Sequence, residues 1–221
     1  MKKKQIEPEL TVEVKEQMWD MTLESEPVLH CALTWPELKG TWKGINAVNR
    51  YYSRVVQIWK RRWEREVYLR ACLDLAERRA QGRPFQFWQA KLTTQITCQE
   101  GDLLSLFQDG MEQAGYDRPV TVRRGDTWSL DQGAPRTLSS FFFKERRWKK
   151  RVLEQIADQI SRRLAGGESL LDPDCFHRLR STFDPEHFCL TGEGAQVFFP
   201  MYTLGPSAEG IPTFDIVLNA E

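Results

Sequence analysis

At 221 residues, 41% hydrophobic and 28% charged, the chain can bury a real core as one large domain or two small ones. Basic and acidic residues balance at 31 each, so no global charge draws it to nucleic acid or anionic lipid. No run approaches the ~20 consecutive apolar residues of a membrane helix, and the opening "MKKKQIEPELTVEVKE" has no apolar stretch behind its lysines, as a secretory signal would.

These features lead us to expect a cytoplasmic chain as written, or an extracytoplasmic one if the N-terminus was trimmed. The five cysteines (Cys31, Cys72, Cys98, Cys175 and Cys189) are odd in number and form no CxxC pair. Free thiols fit that pattern, and one or two disulfides would fit an exported chain.

The first ten or so residues read as frayed. "LTVEVKEQMWDMTL" alternates as a strand, and "EPVLHCALTWPEL" follows as a second strand stopping at Trp35-Pro36, an early antiparallel pair. From Lys43 to about Ala80, Ile45, Val48, Tyr52, Val55, Val56, Trp59, Trp63, Val67 and Leu75 recur every three or four residues. That is one face of a long helix, with Trp59 and Trp63 both expected to be buried and Gly82 and Pro84 ending it. Beyond Pro84 the period changes to two. "FQFWQAKLTTQITCQ" and "DLLSLFQDGMEQ" read as strands joined at Glu100-Gly101, and "RPVTVRRGDTWSL" adds at least one more, with a tight turn at Arg124-Gly125-Asp126. That tripeptide is one that integrins read, and a turn between strands calls for the same letters.

Thr137 is placed to cap a short helix. Lys144 to Leu164 carries a second amphipathic pattern on Trp148, Val152, Ile156, Ile160 and Leu164, closed by Gly166-Gly167. A short helix over Asp172–Leu179 and strands near 188–190, 196–199 and 213–218 complete the chain. The fold class expected is α+β, with mainly antiparallel sheets, one long and one medium amphipathic helix, and subdomains at 8–118 and 119–221.

Catalytic motifs are missing: the chain has no GxSxG, HExxH, P-loop or GxGxxG. Asp172, Asp174, Cys175 and His177 lie close in sequence, but metal sites need convergent ligands at recognisable spacing, and helix capping by the aspartates accounts for the same letters. No metal and no cofactor are expected. "KRRWER" and "KERRWKKR" set a tryptophan among basic residues, as some nucleic-acid sites do. Their tryptophans fall in register with the apolar helix faces, so solvated basic faces and no nucleic-acid partner are expected.

The most distinctive stretch is "FPMYTLGPSAEGIPTF", residues 199–214. Pro200, Pro206 and Pro212 stiffen it, and Gly205 and Gly210 let it turn. A stiff arch binds at low entropic cost. Its candidate binding residues are Tyr202, Pro206, Ser207, Glu209 and Gly210, with Tyr202 as anchor. The alternative is that Tyr202, Leu204 and Ile211 pack the arch onto a sheet.

"HFCLTGEGAQVFFPMYTLGPSAEGIPTFDIVL" resembles the C-terminal signature of the RsiV/PdaC-like family, through Phe188, Leu190, Thr191, Gly194, Phe199, Tyr202, Pro206, Gly210, Pro212 and Phe214. "DTWSLDQGAPRTLSSFF" resembles the family's preceding strand, turn and short helix. "VLHCALTWPELKG" with "INAVNRYY" resembles its early strand and helix start. The family includes ectodomains of membrane anti-sigma factors that bind lysozyme and domains attached to peptidoglycan deacetylases. The resemblance implies a PdaC-like N-terminal part, an RsiV-like C-terminal part, and a non-enzymatic recognition or sensing role with a lysozyme-like protein as partner. An enzyme acting on cell-wall glycan and a cytosolic interaction protein remain the alternatives.

Overall fold

A computed structural model describes residues 9–143, 145–167 and 169–218. Two antiparallel-rich sheets and a few helices make it an α+β fold. The larger sheet has six strands in sequence order: β1 (Leu10–Leu23), β2 (Glu26–Gly40), β3 (Trp88–Glu100), β4 (Leu103–Gln113), β5 (Val120–Ser129) and β6 (Ala134–Pro135). The smaller one joins β7 (Phe188–Thr191), β8 (Gly194–Phe198) and β9 (Thr213–Ile216).

β1 and β2 form the expected antiparallel pair. β2 runs on through Pro36, which stands opposite Val14, instead of stopping there. β2 and β3 pair in parallel from Leu29–Trp88 to Leu33–Leu92, because a long helix carries the chain between them. Where that ladder ends, Thr94 donates its amide to Thr34 Oγ1 (2.7 Å) and its hydroxyl to the Thr34 carbonyl (2.8 Å), prolonging the seam with side chains.

The long helix has two segments, α1 (Ile45–Arg62) and α2 (Tyr68–Ala80), joined by a π-helical turn over Trp63–Val67. Val56, Trp63, Val67, Ala71 and Leu75 pack on Val28, Leu29, Cys31, Leu33 and Leu92 of the sheet. Tyr52 and Val48 pack on Leu104, Leu106 and Trp128. Asn49 fixes the helix to β2 by exchanging two 2.9 Å hydrogen bonds with the backbone of Leu38.

β5 pairs with β4 without a break from Val120–Glu112 to Ser129–Leu103, so Arg124-Gly125-Asp126 lies inside a strand and makes no turn. Its glycine answers to close approach: a Cβ at Gly125 would lie 1.9 Å from the carbonyl oxygen of Phe188, where β7 crosses the sheet. The large sheet therefore continues past position 118, and the change of sheet comes after Pro135.

The second core holds Val152, Ile156 and Ile160 of α3 (Trp148–Gly166) against β7, β8 and β9, with Leu138 and Phe142 beneath. The helix begins at Trp148; Lys144, where the apolar pattern starts, lies outside the described residues, as do residues 1–8. Gly167 closes the helix in a left-handed conformation. Thr137 precedes the short 3-10 turn Leu138–Phe141 but makes no side-chain capping bond. The last helix, α4, spans Phe176–Thr182.

Candidate functional site

The arch between β8 and β9 crosses the end of β5. Leu204 is fully buried, and its carbonyl accepts the Asp172 amide (2.9 Å). Glu209 ties the arch to the segment after α3: its carboxylate accepts from Ser169 Oγ (2.8 Å) and the Leu170 amide (2.6 Å). Pro206 opens the 3-10 turn Ser207–Glu209, and Gly210 leaves it at φ 74°, ψ −137°, a conformation only glycine adopts readily. Tyr202 is 56% exposed, at φ 67°. Met201, Ser207, Ala208, Gly210 and Ile211 line a recess of about 480 Å³ with Thr121 and Arg123 of β5.

A second, larger hollow of about 610 Å³ adjoins it, sharing Arg123. One wall is helical: Val55, Ile58 and Trp59 of α1. The opposite wall is Asp184–Phe188, the approach to β7, and the floor includes Gln108, Val122, Gly125 and Asp126. Trp59 was expected in the core beside Trp63. Trp63 is fully buried, whereas Trp59 is only partly covered, resting against Gly110 at the hollow's wall. It sits at the margin of the helix contact, where it lines the hollow instead of the closed core.

Within this hollow Asp126 is 8% exposed. Its Oδ2 accepts from Tyr52 Oη (3.2 Å), and its Oδ1 accepts from Tyr51 Oη (3.4 Å) and Arg124 Nε (3.2 Å). Trp128 Nε1 in turn donates to Tyr52 Oη (2.9 Å). Burial pushes the Asp126 carboxyl up against the opposing pull of Arg124, and the Tyr51 hydroxyl is pushed to about 12 by burial and the neighbouring carboxylate. Asp126 is thus held in place by three donors. The adjacent tyrosines on α1 and the "RGD" letters were visible in sequence. That they meet depends on pairing β5 with β4 under α1.

Other sequence candidates do not converge. Asp172 and Asp174 both pair with Arg178 and do not cap α4, whose N-terminus has no side-chain capping bond. His177 is exposed beside them. All five cysteines are free thiols, and burial raises those of Cys31, Cys175 and Cys189. In "KRRWER" two of the four cations have protein partners, Arg62 in Glu66 and Glu112 and Lys60 in Gln17, while Arg61 and Arg65 are exposed. In "KERRWKKR" Trp148 stacks on Phe142. No helix among the described residues is long and apolar enough to cross a membrane.

Residues 139–219 match the family model DUF3298, described as a protein of unknown function. The DUF3298 segment holds α3, α4, the small sheet and the arch. Two solved structures share the fold over nearly the whole chain. A DUF3298 family member from Bacteroides fragilis aligns with TM-score 0.65 at 14% identity, covering 97% of this chain and 95% of its own. A DUF3298 family protein from Pseudomonas aeruginosa aligns with TM-score 0.58 at 13% identity, covering 95% and 90%. No curated protein matches.

Proposed function

We propose that the chain is a non-enzymatic recognition module whose partner is a protein seated over β5, like the lysozyme-binding ectodomains that its C-terminal segment resembles. One observation carries this reading. The two hollows meet at Arg123 and leave β5 open between the arch and α1, a broad surface with apolar lining. Val122 and Ile58 are exposed there, and Tyr202 projects from the arch. The buried carboxylate of the larger hollow, Asp126, is engaged by three donors, which suits holding a shape better than moving a proton.

Calorimetric titration of the purified chain with lysozyme tests the reading. Saturable binding is expected, weakened by about 2 kcal/mol in Tyr202→Ala, as for a hot-spot tyrosine. The chain is incubated in parallel with peptidoglycan. Release of acetate or new reducing ends would make it an enzyme instead, and no binding to lysozyme would remove that protein as the partner.

A further inference from the structure

Residues of β5 alternate in direction. The carbonyls of Thr127 and Ser129 accept amides from Arg136 and Gly133, so the odd-numbered residues turn their backbone groups away from β4. The same parity holds at the other end, where the Thr121 amide meets Met201 Sδ at 3.1 Å. Between these two covers, the outward N–H and C=O groups of Arg123 and Gly125 have no backbone partner among the described residues. They face the larger hollow. An open edge between two walls is a template for another strand.

We propose that this edge takes an extended segment of a partner protein as an added strand, with apolar residues on one side and basic residues on the other. The inference rests on the recognition reading and states how the partner is held. A strand added to β5 continues the sheet's two faces. On the α1 side its side chains meet Val55, Ile58, Trp59 and Val122. On the other side they meet Asp184 and Glu186. The arginines nearby are already engaged: Arg123 by Asp109 through two bonds, Arg124 by Asp126, and Arg136 by Ser140 and the Phe141 ring. Glu186 has no side-chain partner among the described residues, and the Asp184 carboxylate accepts only the Glu186 amide and faces His187 at 3.7 Å. Arg136 keeps its charge, since Ser140 and Phe141 are neutral, but two carboxylates, Asp184 and Glu186, stand against it, so the balance left in the hollow is acidic.

The probe is a fluorescent seven-residue peptide alternating valine and lysine, long enough for the ~20 Å of open edge. Its anisotropy is followed against a valine–glutamate counterpart and against two N-methylated versions, one methylated on every valine and one on every lysine. The valine–lysine peptide is expected to bind at least tenfold tighter than the glutamate one. One methylated version should lose at least tenfold and the other should not, since only one set of amides faces β5. Amide exchange at Arg123 and Gly125 should slow in the complex. Ile58→Lys and Glu186→Lys, both surface changes, should each weaken binding. Equal binding by both methylated versions, or unchanged exchange at Arg123 and Gly125, overturns strand addition. A dimer that the peptide dissociates would make a second copy the occupant and overturn it as well. Lysozyme binding without peptide binding defeats this inference alone, and failure of both defeats the recognition reading too.

Discussion

At the scale of single residues, the two helix tryptophans separate cleanly. Trp63 is fully buried and tilts against Trp19 at 6.0 Å, so Trp63→Ala should cost about 3–5 kcal/mol in urea unfolding. Trp59→Ala should cost about 1 kcal/mol, in line with partial cover. Sequence spacing placed both on one face but carried no measure of how far the sheet extends beneath them. Asp126 makes a pH prediction. Its folded pKa is raised, so its contribution to stability is smallest at neutral pH and grows as pH falls through that raised value toward the unfolded one. Wild type should therefore gain on Asp126→Asn as the pH is lowered, measured as the difference in urea midpoint. A difference independent of pH would show that Asp126 ionises in the fold as it does in the unfolded chain. The letters of Asp126 were legible; its burial was not, because glycine and aspartate between polar neighbours read locally as a turn.

At the scale of elements, the long helix shows what periodicity reveals and what it hides. Trp63, Val67, Ala71 and Leu75 are all buried and all four apart. In a regular helix each such step drifts about 40° around the axis. The wider π turn over Trp63–Val67 takes up part of that drift, so the unbroken run of fours was the signal for it. In the arch, Gly210→Val should lose about 1–3 kcal/mol through its backbone alone, since a Cβ there would meet nothing within 4 Å. Glu209→Ala should lose about 1 kcal/mol by releasing the Leu170 amide, and Tyr202→Ala should leave the melting temperature nearly unchanged. A large loss at Tyr202 would make its ring a packing element of the arch. The arch's stiffness was readable from its prolines. Its attachment through Glu209 was not, because the bonded groups lie some forty residues earlier.

At the scale of the whole molecule, the two sheets are joined where β7 crosses β4 and β5. Ser105 Oγ accepts the Leu190 amide at 2.8 Å and contacts Thr127 Oγ1 at 2.7 Å, all in buried surroundings. Ser105→Ala should cost about 1–3 kcal/mol by leaving that amide unpaired. A fragment starting at residue 119 would carry β5 without β4, its partner over ten register positions. It should show no cooperative unfolding, and a sharp transition would establish it as an autonomous unit. The α+β class and nearly every element followed from local pattern. The junction did not, because a serine and a glycine in strands announce nothing about the strand that will lie across them.

The parallel seam between β2 and β3 has a consequence in time. Hairpins such as β1–β2 and β3–β4 close quickly from neighbouring residues, but β2 and β3 meet only after the whole helix between them has been made. During synthesis the face of β4 and β5 around Ser105 and Gly125 stays bare until Leu190 leaves the ribosome, more than sixty residues after Gly125. Through that interval the bare face is open to capture by chaperones or by other strands, and it closes when β7 lays its Phe188 carbonyl against Gly125.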